Sequence, residues 1–189
     1  MANDFVERDK ALQLLDKYVK SEWLRKHSLA TEAVMRALAR RLDEDEDTWG
    51  VVGLLHDIDF DIVQDPKIHG NKAAEILREE GINKEEYIQA IRAHNAEGLN
   101  LERKTKLDYA LTCGETITGL IVATALVMPD KKLSSVKPSS VVKRMKKKDF
   151  ARKVSRENIL LCEKIGLDIN EFAELSVKSM QEIAEELGL

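Results

Sequence analysis

Apolar residues recur at helical spacing along almost the whole chain. Leu12, Leu15 and Val19 fall at i, i+3 and i+7 and give the first predicted helix its apolar stripe. Ser21 is placed to cap a second helix running to about Leu42, with Ala30, Val34, Leu38 and Leu42 on one face. The acidic run from Asp43 to Asp47 breaks that pattern. The next stretch, Thr48 to about Ile58, carries Val51, Val52, Leu54 and Leu55 and is apolar on nearly all sides, so it belongs in the middle of a bundle. Asp65-Pro66 reads as a cap followed by proline at the first helical position, and Gly81 ends that helix. Asn83 with Glu86 three residues on has the form of a capping box, and a long helix covers roughly Thr105 to Met128. Ser155 and Asp168 are candidate caps for two last helices, with Gly166 between them and Glu171 three residues after Asp168. There is no alternating strand pattern, internal repeat or low-complexity linker. The pattern predicts an all-α fold: one bundle-like domain over residues 1–189, with its core at about 20–128, then a basic segment and C-terminal helices at 129–189. Residues 129–150 are the most irregular part.

Composition agrees. Hydrophobic residues make up 43% and charged residues 34%, the balance of a water-soluble globular chain. Aromatics are only 5% and prolines number 3, which favours helix over strand. Met1-Ala2-Asn3-Asp4 is not a basic region followed by an apolar run, so a cytoplasmic protein is expected. The longest apolar stretch, Ile117 to Met128, is 12 residues long. About 20 are needed to span a bilayer, so no membrane partner is expected. Cys113 and Cys162 lie far apart without Cys-x-x-Cys spacing and read as two reduced, buried thiols. The net charge of −4 hides an asymmetry: Pro129 to Arg156 holds 11 Lys and Arg against two acids, leaving −13 on the remainder. Such a segment is either a solvated face or an attractant for phosphate-bearing ligands.

The chemistry concentrates in few residues. All four histidines, His27, His56, His69 and His94, precede residue 95. His56-Asp57 ends the buried run Val51 to Leu55. A histidine suits the negative end of a helix, but an acid does not, and a buried carboxylate is costly unless paired or bound to metal. Glu115 is the one charged residue in the 16 from Cys113 to Met128. Asp108 sits two turns earlier on the same face, about 10 Å along the axis. Either acid could face a metal, and a cross-bundle ion pair is the other use for Glu115. Helical bundles commonly gather imidazoles and carboxylates from different helices around a metal. This ligand set suits iron, manganese, zinc or nickel. Neither a Gly-x-x-x-x-Gly-Lys phosphate loop nor a Gly-x-Ser-x-Gly elbow is present.

The ordered set of His27-Ser28, Leu54-Leu55-His56-Asp57-Ile58, His69-Gly70 before a helix with Ala73, Ala74, Ile76 and Leu77, and Ile91-Arg92-Ala93-His94 resembles the HD-domain superfamily of metal-dependent phosphohydrolases. The segment Thr118 to Ala123 and Phe150-Ala151-Arg152 are similar to a compact bacterial branch of it, and the resemblance covers roughly residues 20–189. It implies a helical bundle whose metal is held by His27, His56, Asp57 and a late acid. His69 and His94 match positions that hold a second ion sharing the Asp. The register of the Thr-Gly-Leu segment puts Glu115 at the late acid, where Asp is usual. Asp108, beside Lys104 and Lys106 at a helix start, is expected to stay solvated there. Asp59 stands where Gly is common, and Asn95 where some relatives have a second histidine in a row.

The implied activity is hydrolysis of a small phosphate ester, such as a nucleotide, by water activated on one or two divalent ions. Asp57 would bridge the ions, and Asp59, Asp61 or Asp65 would accept a proton or orient the water. Lys131, Lys132, Lys143 and Arg144 are the candidates for binding substrate phosphate. The competing reading is a regulatory domain that binds a phosphorylated ligand and has lost turnover through Glu115. A nucleic-acid partner is disfavoured, since Phe150 is the one ring between Lys131 and Lys153 and a stacking platform needs more. The choice between mono- and diesterase and the oligomeric state stay open.

Overall fold

The computed structural model describes residues 6–189, which form helices and no strand. The first apolar stripe becomes α1 (Arg8–Tyr18) and buries Ala11, Leu14 and Leu15. The second becomes α2 (Glu22–Leu42), whose Leu24, Val34, Met35 and Leu38 are buried. Ser21 takes the N-cap position, but its side chain does not cap. Instead Asp61 accepts from the Lys20 and Ser21 amides, both at 2.7 Å, and from the Ser21 hydroxyl at 2.6 Å. The start of α2 is therefore held by a carboxylate 40 residues further along the chain.

The central helix, α3 (Glu46–Leu55), starts two residues before the expected Thr48 because Asp45 caps it by accepting from the Thr48 amide at 2.6 Å. The acidic run is thus a helix start: Glu46 and Asp47 lie in the first turn, where the dipole favours them. Every residue from Thr48 to Leu55 is buried, as the all-round apolar pattern predicts. Residues 56–70 then run as turns. The helix expected to start at Pro66 does not. Asp65 forms a local turn to the Lys67 amide, and Gly70 has φ +87°, in the left-handed region, so α4 (Asn71–Glu79) begins only after it. The Asn83–Glu86 capping box does not form either. Asn83 turns back to donate to the Gly81 carbonyl, and α5 (Glu85–His94) follows Lys84 with no side-chain cap.

After α6 (Ala96–Leu99) comes the long helix α7 (Lys106–Leu126), opened by a capping box between Thr105 and Asp108. By length and composition α7 could cross a membrane, but 67% of its most apolar window is buried inside the protein, which makes it a core helix. The basic segment folds as a 3-10 turn, α8 (Pro138–Met145) and a run of turns. Ser155 and Asp168 cap α9 (Arg156–Leu160) and α10 (Ile169–Glu182) as expected, and Gly166 takes a left-handed conformation between them. A last short helix, α11 (Ala184–Leu187), follows. Cys113 and Cys162 are buried free thiols.

One buried apolar cluster extends from Val6 to Leu187. Within it α2 packs across α3 and α7, α10 lies on α2, and α5 packs on α7. The contact of α2 with α3 is close. A Cβ on Gly53 would lie 2.9 Å from Met35 Cγ and 3.1 Å from the Thr31 carbonyl oxygen. That approach of two backbones places His27 of α2 beside the residue that ends α3.

Candidate metal centre

His56 is the C-cap of α3, and Asp57 opens the turns behind it. His69 immediately precedes Gly70, the N-cap of α4, and His94 is the last residue of α5. His27 reaches in from α2. The five side chains meet in one place. His27 Nε2 lies 3.2 Å from His56 Nε2, and His69 Nε2 lies 2.9 Å from His94 Nε2. Asp57 sits between the two pairs. Its Oδ2 is 3.7 Å from His27 Nε2 and 3.5 Å from His56 Nε2; its Oδ1 is 3.2 Å from His69 Nε2 and 3.3 Å from His94 Nε2. The donor atoms of His27, His56 and Asp57 all fall within 4.8 Å of one another, and so do those of Asp57, His69 and His94.

The ring tautomers follow from what each Nδ1 meets. His56 Nδ1 faces the Gly53 carbonyl at 2.8 Å, and His94 Nδ1 faces the Ile91 carbonyl. A carbonyl can only accept, so both Nδ1 atoms carry the proton. His69 Nδ1 donates to Asp59 Oδ1 at 2.9 Å. His27 Nδ1 lies 3.1 Å from the Thr118 hydroxyl, whose own hydrogen goes to the Glu115 carbonyl at 2.6 Å, so His27 donates there too. In the neutral rings each Nε2 is then a lone pair, and all four point at the Asp57 carboxylate. Lone pairs facing each other and an anion repel unless positive charge lies between them. The donor set therefore fits a divalent metal, and each Nδ1 contact is the kind of outer-shell bond that orients a ligating imidazole.

The electrostatics of the cluster are lopsided. Burial pushes His56 down to about 3, against a weaker upward pull from Asp57. Burial would raise Asp57, but His56 together with His69 and His94 holds its carboxyl well below the ordinary range. Burial also lowers His69, yet the carboxylates of Asp57 and Asp59 outweigh it and push His69 up to about 10. Without a cation, a proton on His69 does part of a cation's work.

Glu115 stands at the edge of the cluster. Its Oε2 lies 4.0 Å from His27 Nε2, its Oε1 accepts from the Thr116 hydroxyl, and burial raises its carboxyl above the usual value. It belongs to neither of the two tight donor sets. Asp108 is not solvated as expected. It is fully buried, and accepts from the Lys104 and Thr105 amides at 2.8 and 3.1 Å and from the Thr105 hydroxyl at 2.7 Å. The expectation that Asp59 handles a proton for water also needs correction. It has no exposed surface, and both oxygens are used: Oδ1 on His69, and Oδ2 on the Gly70 and Ala73 amides at 2.9 and 3.0 Å. Asp59 orients His69 and caps α4. Asp61 is committed to the start of α2, and Asp65 to its own turn.

Two cavities open beside His27. One, of about 460 Å³, has His27 and Asp57 on one side and Lys26 at its rim. The other, of about 230 Å³, is lined by His27, Glu115, Lys153, Ser155 and Asn158. Lys131, Lys132, Lys143 and Arg144 line neither; Arg144 instead lies over the Phe150 ring, 5.0 Å from its centroid. The cationic groups that line these cavities are Lys26, from α2, and Lys153, a member of the basic segment other than the four candidates. Thr118 was also missed, although its position one turn after Glu115 on a buried face was visible. Thr118→Val keeps the shape of the side chain and removes the acceptor for His27 Nδ1. Metal affinity should fall about 10- to 100-fold, the usual cost of losing such a partner. Competition against a chelator of known affinity measures it, and an unchanged affinity would mean that His27 is oriented without Thr118.

A family model described as HD domain matches residues 24–118. The tRNA (cytidine(56)-2'-O)-methyltransferase of Thermoplasma volcanium is 32% identical over 167 residues, which is 85% of this chain and 48% of that protein. The chain thus spans about half the length of this curated relative. No solved structure matches the chain.

Proposed function

The chain belongs to the HD domain family, and on that premise we propose that its histidine–aspartate cluster is the centre of a metal-dependent phosphohydrolase acting on a small phosphate ester. The observation that carries this is Asp57, with one oxygen facing His27 and His56 and the other facing His69 and His94. One carboxylate shared by two imidazole pairs suits two-metal phosphoester chemistry. His27, His56 and Asp57 would hold one ion, with Glu115 able to approach it; Asp57, His69 and His94 would hold the other. Divalent ions bound there would supply Lewis acidity toward phosphoryl oxygens and a nucleophile at neutral pH. The protein's own part is to fix the four imidazoles before substrate arrives, through Gly53, Ile91, Thr118 and Asp59. Lys26 and Lys153, on either side of His27, would attract and orient the phosphate.

Protein purified without chelator should carry iron, manganese, zinc or nickel, and should hydrolyse some member of a panel of phosphomono- and diesters in that metal. A metal-loaded protein inert toward every ester would favour the regulatory reading, with the longer arm of Glu115 as its cause. A second reading, a domain that works on or beside tRNA, is favoured by the name of the relative, a tRNA methyltransferase, and by the +9 segment from Pro129 to Arg156. It requires tRNA binding whose log affinity falls linearly with the logarithm of salt concentration.

Metal uptake should also expel a proton. The folded value of His69 is raised to about 10 from about 6.5. The stability its charged form contributes is thus complete below about pH 6.5 and lost as pH rises toward 10. Near neutral pH the metal-free site carries that proton, and a cation on His69 Nε2 must displace it. Calorimetry in two buffers of different ionisation enthalpy should show about one proton released at saturation. Its absence would remove His69 from the ligand set.

A further inference from the structure

The larger cavity beside the cluster has a chemistry the metal centre does not require. Its volume of about 460 Å³ is within the range of small-molecule sites, about 300–1,000 Å³. The histidine–aspartate cluster forms one edge, and the walls are Trp23, Phe60, Val122, Leu187 and Leu189. Trp23 is 57% exposed, unusual for so large an apolar side chain with nothing covering it. It meets Phe60 edge to face, centroids 6.0 Å apart, and Phe60 in turn meets His69 the same way at 5.1 Å. A file of rings therefore leads from the open indole to a residue of the cluster.

We propose that this cavity binds an aromatic group of the substrate, so that the protein takes phosphate esters of aromatic or aryl-bearing alcohols in preference to sugar or polyol phosphates. This rests on the phosphohydrolase reading for the reaction but not for the binding. A phosphoryl group at the His27–Asp57 edge puts the esterified group between Trp23, Phe60 and Val122. An aromatic ring there gains apolar burial and edge or face contacts with two rings. A polyol placed there would give up hydrogen bonds to water and find few replacements on walls of Val, Leu and Phe. Gly119 lies between the two cavities. A Cβ added to it would meet one side-chain atom within 4 Å, Val154 Cγ2 at 3.3 Å. That Cβ would lie on the side of Val154, which lines the smaller cavity, so Gly119 leaves the larger cavity to Trp23, Phe60 and Val122.

Benzylphosphonate and methylphosphonate carry the same head group and differ in the ring, and neither can be hydrolysed as an ester. Titrated into the manganese-loaded protein by calorimetry, benzylphosphonate should bind about tenfold or more tighter. It should also quench the emission of Trp23, since Trp49 is buried. Trp23→Ala, an exposed position, and Phe60→Leu should each bring the affinity ratio toward one. Equal affinities in the unsubstituted protein, or a ratio unchanged in both variants, would overturn the proposal. A protein that shows the benzyl preference yet hydrolyses no ester would sink the phosphohydrolase reading and leave this one standing.

Discussion

Asp57→Ala is expected to empty both halves of the metal centre, whereas His56→Ala empties one. The difference follows from geometry. His56 Nε2 faces only the pair it forms with His27 and the Asp57 oxygen on that side. Asp57 offers Oδ2 to that set and Oδ1 to His69 and His94. Removing an outer-shell partner typically costs 10–100-fold in affinity, and deletion of a bridging ligand should exceed that range. Turnover should vanish with the metal. The helices should remain, because Asp57 lies in the turns after α3 and its backbone carbonyl still accepts from the Phe60 amide. Metal analysis of the two variants beside far-ultraviolet circular dichroism makes the comparison. Full metal content in Asp57→Ala would dismiss the site.

The second large effect separates two acids that the sequence places on one helix face. Glu115→Gln should weaken metal binding about tenfold or more while leaving the melting temperature nearly unchanged, because Glu115 faces His27 at the edge of a cavity. Asp108→Asn should do the reverse. Asp108, itself fully buried, accepts three hydrogen bonds from Lys104 and Thr105, and the amide that replaces one oxygen would turn a donor toward donors. A cost of about 1–3 kcal/mol is expected. That lowers the melting temperature by about 2–4 °C for each kcal/mol in a chain of this size. Metal loss in Asp108→Asn and not in Glu115→Gln would reverse the assignment. Loss in neither would leave the site without a late carboxylate.

The contrast between these acids shows what the sequence made legible. Helix type and the central place of the Val51–Leu55 run follow from periodicity, which is a local property of the chain. His56-Asp57 stood out because a charge ended an apolar run, and Glu115 because it interrupted one. The resemblance supplied the partnership of His27, His69 and His94, which no spacing argument could give. Thr105-x-x-Asp108 is itself a capping-box pattern, which accounts for the hydrogen bonds of Asp108 but not for its burial. The roles of Asp59 and Asp61 were out of reach. Each serves groups 10 to 41 residues away, and such pairings are decided by how the turns after α3 fold back. The same holds for Lys153. Counting charges found the basic segment, but only the packing of α9 against α7 selects which lysine borders His27.

If the centre takes two ions as proposed, the shared carboxylate would also set the order in which it fills. One negative charge serves two cation positions, so the first ion to bind draws electron density from the oxygen that the second needs, and two dications so close repel. Loading would then be anticooperative. The half with His27 and His56 can call on Glu115 and should fill first; the half with His69 and His94 must first surrender a proton. A titration isotherm with two resolved steps is the signature. At limiting metal the protein would be a half-filled species, able to hold a phosphate but lacking the second charge, and its rate would report the abundance of free metal around it.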